Sequence, residues 1–380
     1  MTTEAYELAT DVIGVRLHTR GPVTLPWLAR SVVPVARALH GDGNAVVHLR
    51  RGWRHGPHVD VVAYGGAGGT ADWATVAAEL DAGPLDEARA LSEEDYLTQA
   101  REFGRLEAVP PPYLPMAEHG AVQLLRREDT GPRQPALRAL PGWEVAQSVL
   151  TTPLLDMVDE LARRPEQGNV RLGEAFAALA DSYFLGLAHG VYSFRSHVEA
   201  FLAWARPTRD VRPVFAERLA RDAAVLRPVV EQRLAGTPSG PAAAWRTAFA
   251  YCAGTFDAAV TDGTLSLDLL DEITGSVDTA AMGPPSAPDV VPTGDQPDTE
   301  FHRRVAASGA YDRTTQWFAA YRVLINLFYQ QLPLLTVSPM QRYYMCYAIS
   351  ELVDEVLGES WQDRLTRDRV RVVAAAGRAA

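Results

Sequence analysis

HLRRGWRHGPHVDVVAY (residues 48–64) is two alternating runs joined by a Gly-Pro turn, and its reading decides the fold. A β-strand turns successive side chains to opposite faces. In the first run Val47 and Leu49 share one face, and His48 and Arg50 the other. In the second run Val59 and Val61 oppose His58 and Asp60. The connector RGWRHGP is rich in turn formers. Upstream, DVIGVRLHTR (11–20) alternates in the same way, with Arg16 and His18 opposing Val15 and Leu17. Paired together, these strands carry Arg16, His18, His48, Arg50, His58 and Asp60 on one polar face. Such a face is either the solvated side of a one-sided sheet or a chemically equipped surface.

Outside the hairpin the periodicity turns helical. Pro26–Leu39 reads as a helix with Leu28, Val32, Val35 and Leu39 on one stripe, and Ala71–Leu80 as another. Ser92–Glu107 opens on a capping box, and Ser196 heads a second box before AFLAWA. The stretch 126–142 is loop-like, and 151–234 is helical. Residues 274–299 are rich in Pro, Gly, Asp, Ser and Thr and predict a mobile insertion. The last long helix has Ser338 at its N-cap, Pro339 at N1, Gln341 completing the box and Gly358 just past its end. The fold class is therefore α+β. A small antiparallel or mixed sheet near the N-terminus packs against a largely helical remainder, in a single domain spanning 1–380.

Composition narrows the functions. Of 380 residues 47% are hydrophobic, which suits a packed protein. No apolar run is long enough to span a membrane, and MTTEAYELATD lacks the features of a secretory signal, so a cytoplasmic protein is expected. The net charge of −11 argues against a nucleic-acid partner. Lysine is absent. Cys252 and Cys346 form no closely spaced ligand pair. A two-histidine, one-carboxylate metal set from His48, His58 and Asp60 competes for the hairpin; it requires those residues to lie directly opposite one another.

The order of motifs adds a resemblance. Leu28, Val33-Pro34-Val35, His48-Leu49-Arg50 and Arg54-His55-Gly56-Pro57-His58 occur in sequence. SFRSHVEAFLAW (193–204) and QRYYMCYAISELVDEVLG (341–358) follow them. Together they resemble the thiopeptide-type bacteriocin biosynthesis domain family, which comprises the C-terminal elimination domains of lantibiotic dehydratases and the thiopeptide pyridine synthases. The chain departs from the elimination branch at two points. Asp60 stands where a cation is expected, and no histidine follows His302. Both departures favour the pyridine-synthase branch.

The resemblance implies a maturation enzyme for a ribosomally made peptide. It would catalyse a formal [4+2] cycloaddition of two dehydroalanines to a pyridine, with macrocyclisation and loss of the leader. Two alternatives stand beside it: a glutamate-elimination lyase and a non-catalytic leader-binding partner. No cofactor or metal is implied. The partner is a dehydroalanine-containing precursor peptide, and the chain is a monomer or homodimer. Ser338 and Tyr344 inherit the expectation of lining the reaction site, with Glu107, His48 and His58 as further acid–base candidates. Arg16, Arg50, Arg54, Gln341 and Arg342 are candidate substrate-binding residues. Plainer roles compete: Ser338 as a cap, Tyr344 as a packed aromatic and Glu107 as an exposed helix-end acid. In the last helix Tyr344, Tyr347 (or Ala348) and Glu351 predict one stripe, and Met345, Ile349, Leu352, Val353 and Val356 an opposite, core-facing stripe.

Overall fold

The computed structural model describes residues 12–44, 46–65, 71–106, 110–127, 140, 142–206, 209–266, 269, 298–308 and 316–367. Strands β1 (Val12–His18), β2 (Val46–Gly52), β3 (His58–Tyr64) and β4 (Val122–Arg126) form one antiparallel sheet in the order β2-β3-β1-β4. Helices α1 (Leu25–Ser31) and α2 (Val33–Gly41) precede β2. Helices α3 (Trp73–Glu79) and α4 (Glu93–Leu106) follow β3, and α5 (Trp143–Arg163) follows β4. Then come α6 (Gly168–Asp181), α7 (Leu187–Ala205), α8 (Arg212–Leu234), α9 (Gly240–Thr261), α10 (Glu300–Ser308), α11 (Gln316–Gln331) and α12 (Pro339–Leu357). The architecture is α+β with its sheet near the N-terminus, as the alternating and helical periodicities require.

The described residues fall into two compact units that interleave along the chain. One runs to Pro165 and also takes in Asn326–Val337; the other starts at Glu166 and takes up the chain again at Ser338. In the first unit, Val15, Leu17, Val47, Leu49, Val59 and Val61 share one sheet face and are all buried. Each contributes roughly 1.5–3 kcal/mol. Helices α2 and α5 pack on β2, and α5 also packs on α1. β2 is an edge strand, and its outward groups are covered: Val47 N–H donates to Ser148 Oγ at 2.9 Å, and Arg51 Nη1 donates to the Pro333 carbonyl at 2.9 Å. Covering an edge removes a template for aggregation.

In the second unit α12 is surrounded. Arg342–Ser350 is an unbroken buried run, and α6, α7 and α8 all pack on it. A helix enclosed in this way is buried all round. The expected division into a polar and a core-facing stripe is therefore corrected: Tyr344 and Tyr347 are as enclosed as Met345 and Ile349. Arg195 ties α7 to α12 by donating to Glu351 at 2.7 Å and Asp354 at 2.8 Å, and Arg364 pairs with the same Asp354.

Several local readings are also corrected. Pro26–Leu39 is two helices, because Pro34 has no N–H to give to the Arg30 carbonyl and the helix restarts after Val32. Ser196 lies inside α7 and caps nothing. The helical run read from Thr151 starts eight residues earlier, at Trp143; of the stretch 126–142 read as loop-like, Arg126 ends β4, Gly142 precedes α5, and residues 128–139 and 141 lie outside the described residues. Ser92 does cap α4, accepting from Asp95 N–H at 3.1 Å. Ser338 caps α12, and Gly358 ends it at φ +61°. Residues 274–297 of the expected insertion lie outside the described residues; Asp298 and Thr299 lead into α10.

Two glycines of α7 and α9 give a sharp test. A Cβ on Gly190 would meet the Ala180 carbonyl oxygen at 1.9 Å, whereas one on Gly254 would meet nothing within 4 Å. Gly190→Ala forces backbone apart and is expected to cost about 2–3 kcal/mol. Gly254→Ala is expected to stabilise by roughly 0.5–1 kcal/mol through helix propensity. Urea unfolding of the two variants should move in opposite directions.

Candidate functional site

The sheet register puts the predicted polar residues in rows. Arg16, Asp60 and Arg50 lie side by side across β1, β3 and β2, and His18, His58 and Gly52 form the next row. Val47 and Val59 share the other face, as the alternation requires. The polar face is not solvated: His48 is 0% exposed, His58 and Asp60 3%, and His18 6%. Asp60 is gripped by Arg16, whose Nε and Nη2 donate to its two oxygens at 2.7 and 2.9 Å. The His58 ring lies across Gly52, where a Cβ would come within 2.1 Å of Nε2. Glycine at 52 thus makes room for the imidazole. The rings of His18 and His58 meet edge to face at 5.2 Å.

Burial sets the charge state. It pulls His18 down to about 4, helped by Arg16, and His48 down to about 3, helped by Arg50. His58 also falls to about 3, burial outweighing the nearby Asp60. Burial is the largest influence on Asp60 and would raise it, but the Arg16 hydrogen bonds together with the charges of its neighbours outweigh it and hold the carboxyl below its ordinary range. All three imidazoles are neutral at pH 7. His58 Nδ1 sits 2.9 Å from the Gly56 carbonyl, which only accepts, so that nitrogen carries the proton and Nε2 presents a lone pair. Neither ring nitrogen of His48 has a hydrogen-bond partner among the described residues.

Metal-site geometry is not met in the hairpin. His48 stands opposite Val62, whereas His58 stands opposite Gly52 and His18. Four positions along a strand separate residues by about 13 Å. Among the described residues no group of three ligating side chains converges.

The second unit holds the α12 candidates. Ser338 is exposed at the helix mouth and accepts from Gln341 N–H at 3.2 Å. Arg342 is buried, with its guanidinium 4.8 Å from the Tyr343 ring. Tyr344 is fully buried and its hydroxyl donates to Asp222 Oδ2 at 2.7 Å. Asn169 donates to the same carboxylate at 3.0 Å, and Arg218 lies 3.8 Å over the tyrosine ring. Burial, and then Asp222, push the phenol up. Ser338 and Gln341 thus form an accessible mouth, and Tyr344 lies deeper on an anchored network. Arg54 is exposed on the hairpin turn, and Glu107 lies outside the described residues.

Sequence reasoning missed two carboxylates. Asp222 comes from α8, 122 positions before Tyr344, and no local pattern joins them. Glu144, at the start of α5, accepts from the Tyr64 hydroxyl, while Arg127 lies 4.3 Å over the Tyr64 ring. Burial raises Glu144. Tyr64 continues the alternation of β3, so its face was legible; its acidic partner was not.

No family model matches the chain, and no curated protein matches it. Among solved structures the chain is similar to the pyridine synthase TbtD from thiomuracin biosynthesis, with a TM-score of 0.63 at 17% identity over 91% of this chain and 98% of that one. It is also similar to TsrL, with a TM-score of 0.57 at 16% identity over 93% of this chain and 97% of that one. The fold is shared along nearly the whole length. No helix among the described residues is long and apolar enough to cross a membrane.

The neutral imidazoles make stability depend on pH. In the unfolded chain they titrate near 6.5; folded, they stay neutral to about 4 for His18 and about 3 for His48 and His58. Between those limits the unfolded state binds more protons, so stability falls as pH drops below 6.5. Each group contributes about 1.4 kcal/mol per pH unit. His48→Leu should flatten the dependence between pH 6 and 4 by about one proton, read from urea midpoints. Equal wild-type stability at pH 5 and 7.5 would contradict buried neutral histidines. Asp60→Asn leaves Arg16 without its counter-charge and should cost about 2–3 kcal/mol at pH 7, discounted for the partial exposure of Arg16.

Proposed function

We propose that the chain matures a ribosomally synthesised, post-translationally modified peptide of the thiopeptide type, as a pyridine synthase. The observation that carries this reading is the near-full-length likeness to TbtD. The motif order around the hairpin and in α12 supports it. The reaction joins two dehydroalanines in a formal [4+2] cycloaddition. One peptide amide enters as its iminol, two carbon–carbon alkene units close the six-membered ring, and loss of water and of the leader as an amide makes the ring aromatic. The closed ring also makes a macrocycle.

The protein's contribution is mainly proximity. Holding two distant alkenes together is worth up to roughly 7–11 kcal/mol in favourable cases. The remaining work is proton transfer at the iminol and in two eliminations, which calls for donors and acceptors matched to neutral chemistry. Ser338 at the helix mouth and Tyr344 behind it are our proposed reaction-site residues, with Glu107, His48 and His58 as proposed acid–base partners. Arg16, Arg50, Arg54, Gln341 and Arg342 are proposed to hold the peptide. The Asp222 carboxylate accepts from the Tyr344 hydroxyl and fixes its orientation.

The test is a purified protein and a linear bis-dehydroalanine precursor, read by mass. Cyclised product with free leader amide supports the reading. Loss of glutamate from a glutamylated precursor would reveal a lyase, and binding without a mass change a partner protein. Tyr344→Phe keeps the ring and its packing and is expected to lower turnover about 10²–10³-fold with little change in peptide affinity. Ser338→Ala removes the cap, costing about 1 kcal/mol of stability; a reaction-site role adds a loss of rate. Full turnover by Tyr344→Phe would make Tyr344 a packing residue and move the acid–base work to His48 and His58.

A further inference from the structure

Three helices of the second unit meet at one carboxylate. Asp222, on α8, gathers three groups around its Oδ2. The Tyr344 hydroxyl of α12 donates at 2.7 Å, the Asn169 amide of α6 donates at 3.0 Å, and Arg218 Nε lies 3.5 Å away as an ion pair. The other end of Asn169 faces Arg218, whose Nη2 donates to Oδ1 at 3.4 Å. The amide fits only one way round. A carboxylate accepts and a guanidinium donates, so Nδ2 turns to Asp222 and Oδ1 to Arg218. Asp222, Asn169 and Arg218 thus close a ring of polar contacts beside Tyr344.

That ring fixes two things about the tyrosine. Asn169 stops the carboxylate from turning about its own bond, which keeps Oδ2 in front of the phenolic proton. Arg218, held at Nε and Nη2, lies 3.8 Å over the centre of the Tyr344 ring. A planar cation at that distance is attracted to the ring face. Phe215 meets the same ring edge to face at 5.8 Å.

Neither residue is spent on ordinary helix stability. Asn169 is the second residue of α6, whose N-terminus has no side-chain cap. Asparagine is among the best caps, yet this amide goes to Asp222. Arg218 lies four residues before Asp222, a spacing that suits a plain surface pair, yet its guanidinium is turned onto the tyrosine. Arg221 shows the ordinary arrangement on the same helix, pairing with the exposed Glu217 at 3.2 Å.

We propose that Asn169 and Arg218 are positioning residues for the reaction assigned above, and that they act through Tyr344: Asn169 locks the Asp222 carboxylate and Arg218 locks the ring face. The proposal rests on that reading. It requires neither residue to touch the peptide.

Asn169→Ala, Arg218→Met and Arg218→Lys test it, with Arg221→Gln as a control. Cyclisation kinetics on the linear precursor are read beside NMR spectra of tyrosine labelled at Cζ; the Tyr344 resonance is the one missing from Tyr344→Phe. Asn169→Ala and Arg218→Met are expected to lower kcat about 10–100-fold with KM nearly unchanged, and to move the Tyr344 resonance. Arg218→Lys puts a cation back over the ring and should recover part of the lost rate, and Arg221→Gln should match wild type. Two residues that merely brace the helices would lower the urea midpoint and leave kcat unchanged; that result overturns the proposal. An unmoved Tyr344 resonance in both variants, or an equal loss in Arg221→Gln, overturns it too. Wild type that cyclises the precursor while both variants keep its kcat defeats this proposal alone, whereas wild type that never cyclises it defeats the reaction reading as well. Should Arg218→Met fail to fold, Asn169→Ala decides through the same two measurements.

Discussion

The two-toothed pair between Arg16 and Asp60 is the constraint on which the sheet depends. It joins β1 to β3 inside a buried face, and it fixes their register. A slip of one residue would carry Asp60 into the apolar face and Val59 or Val61 out of it. A buried pair adds little net stability, but losing one partner strands the other charge. The register that Arg16 and Asp60 enforce stacks His18 on His58 and seats the His58 ring over Gly52. The polar face is thus assembled by one charge pair and completed by a glycine. The acid at position 60 also leaves a cation on each flanking strand, so the row Arg16–Asp60–Arg50 keeps an excess positive charge.

The second unit follows a different logic. The Arg342–Ser350 stretch of its central helix, α12, is enclosed, so the polar groups there must find partners inside the protein. Tyr344 finds Asp222, Ser350 bonds the Cys346 carbonyl at 2.7 Å, and Glu351 finds Arg195. Close packing makes this possible. Gly173 on α6 admits Leu226 of α8, since a Cβ there would lie 2.7 Å from the leucine methyl. The exposed mouth at Ser338 is therefore mounted on a rigid base.

What the sequence disclosed depended on the range of the interactions involved. Period-two alternation revealed which residues of β1, β2 and β3 share a face, because that rule is local. The caps at Ser92 and Ser338 and the glycine stop at 358 were legible for the same reason. β4 was not, because VQLLR does not alternate; Leu125 is buried while Val122 and Leu124 are 39% and 51% exposed at the sheet's edge, where the register slips by a bulge against Val12–Gly14. Ser196 has the spelling of a cap, but α7 runs through it and its hydroxyl meets His302 at 2.9 Å instead. The two stripes of α12 misled because amphipathic reasoning assumes a solvent side. Asp222 and Glu144 were invisible, since only tertiary packing brings each to its tyrosine.

Burial of the polar face also bears on the chemistry proposed for the chain. An acid–base pair of ordinary kind needs one charged member at working pH, and here burial holds the imidazoles neutral. A neutral histidine both donates and accepts without separating charge. His58 has its donor committed to the Gly56 carbonyl and its acceptor directed over Gly52. Tyr344 is likewise neutral, its proton shared with a carboxylate. Moving an amide to its iminol exchanges one proton between nitrogen and oxygen and creates no net charge. Expulsion of glutamate releases a carboxylate and asks for a free cation at the departing group. Groups kept neutral by burial match the first demand better than the second. On that physical ground the cycloaddition reading outranks the elimination reading.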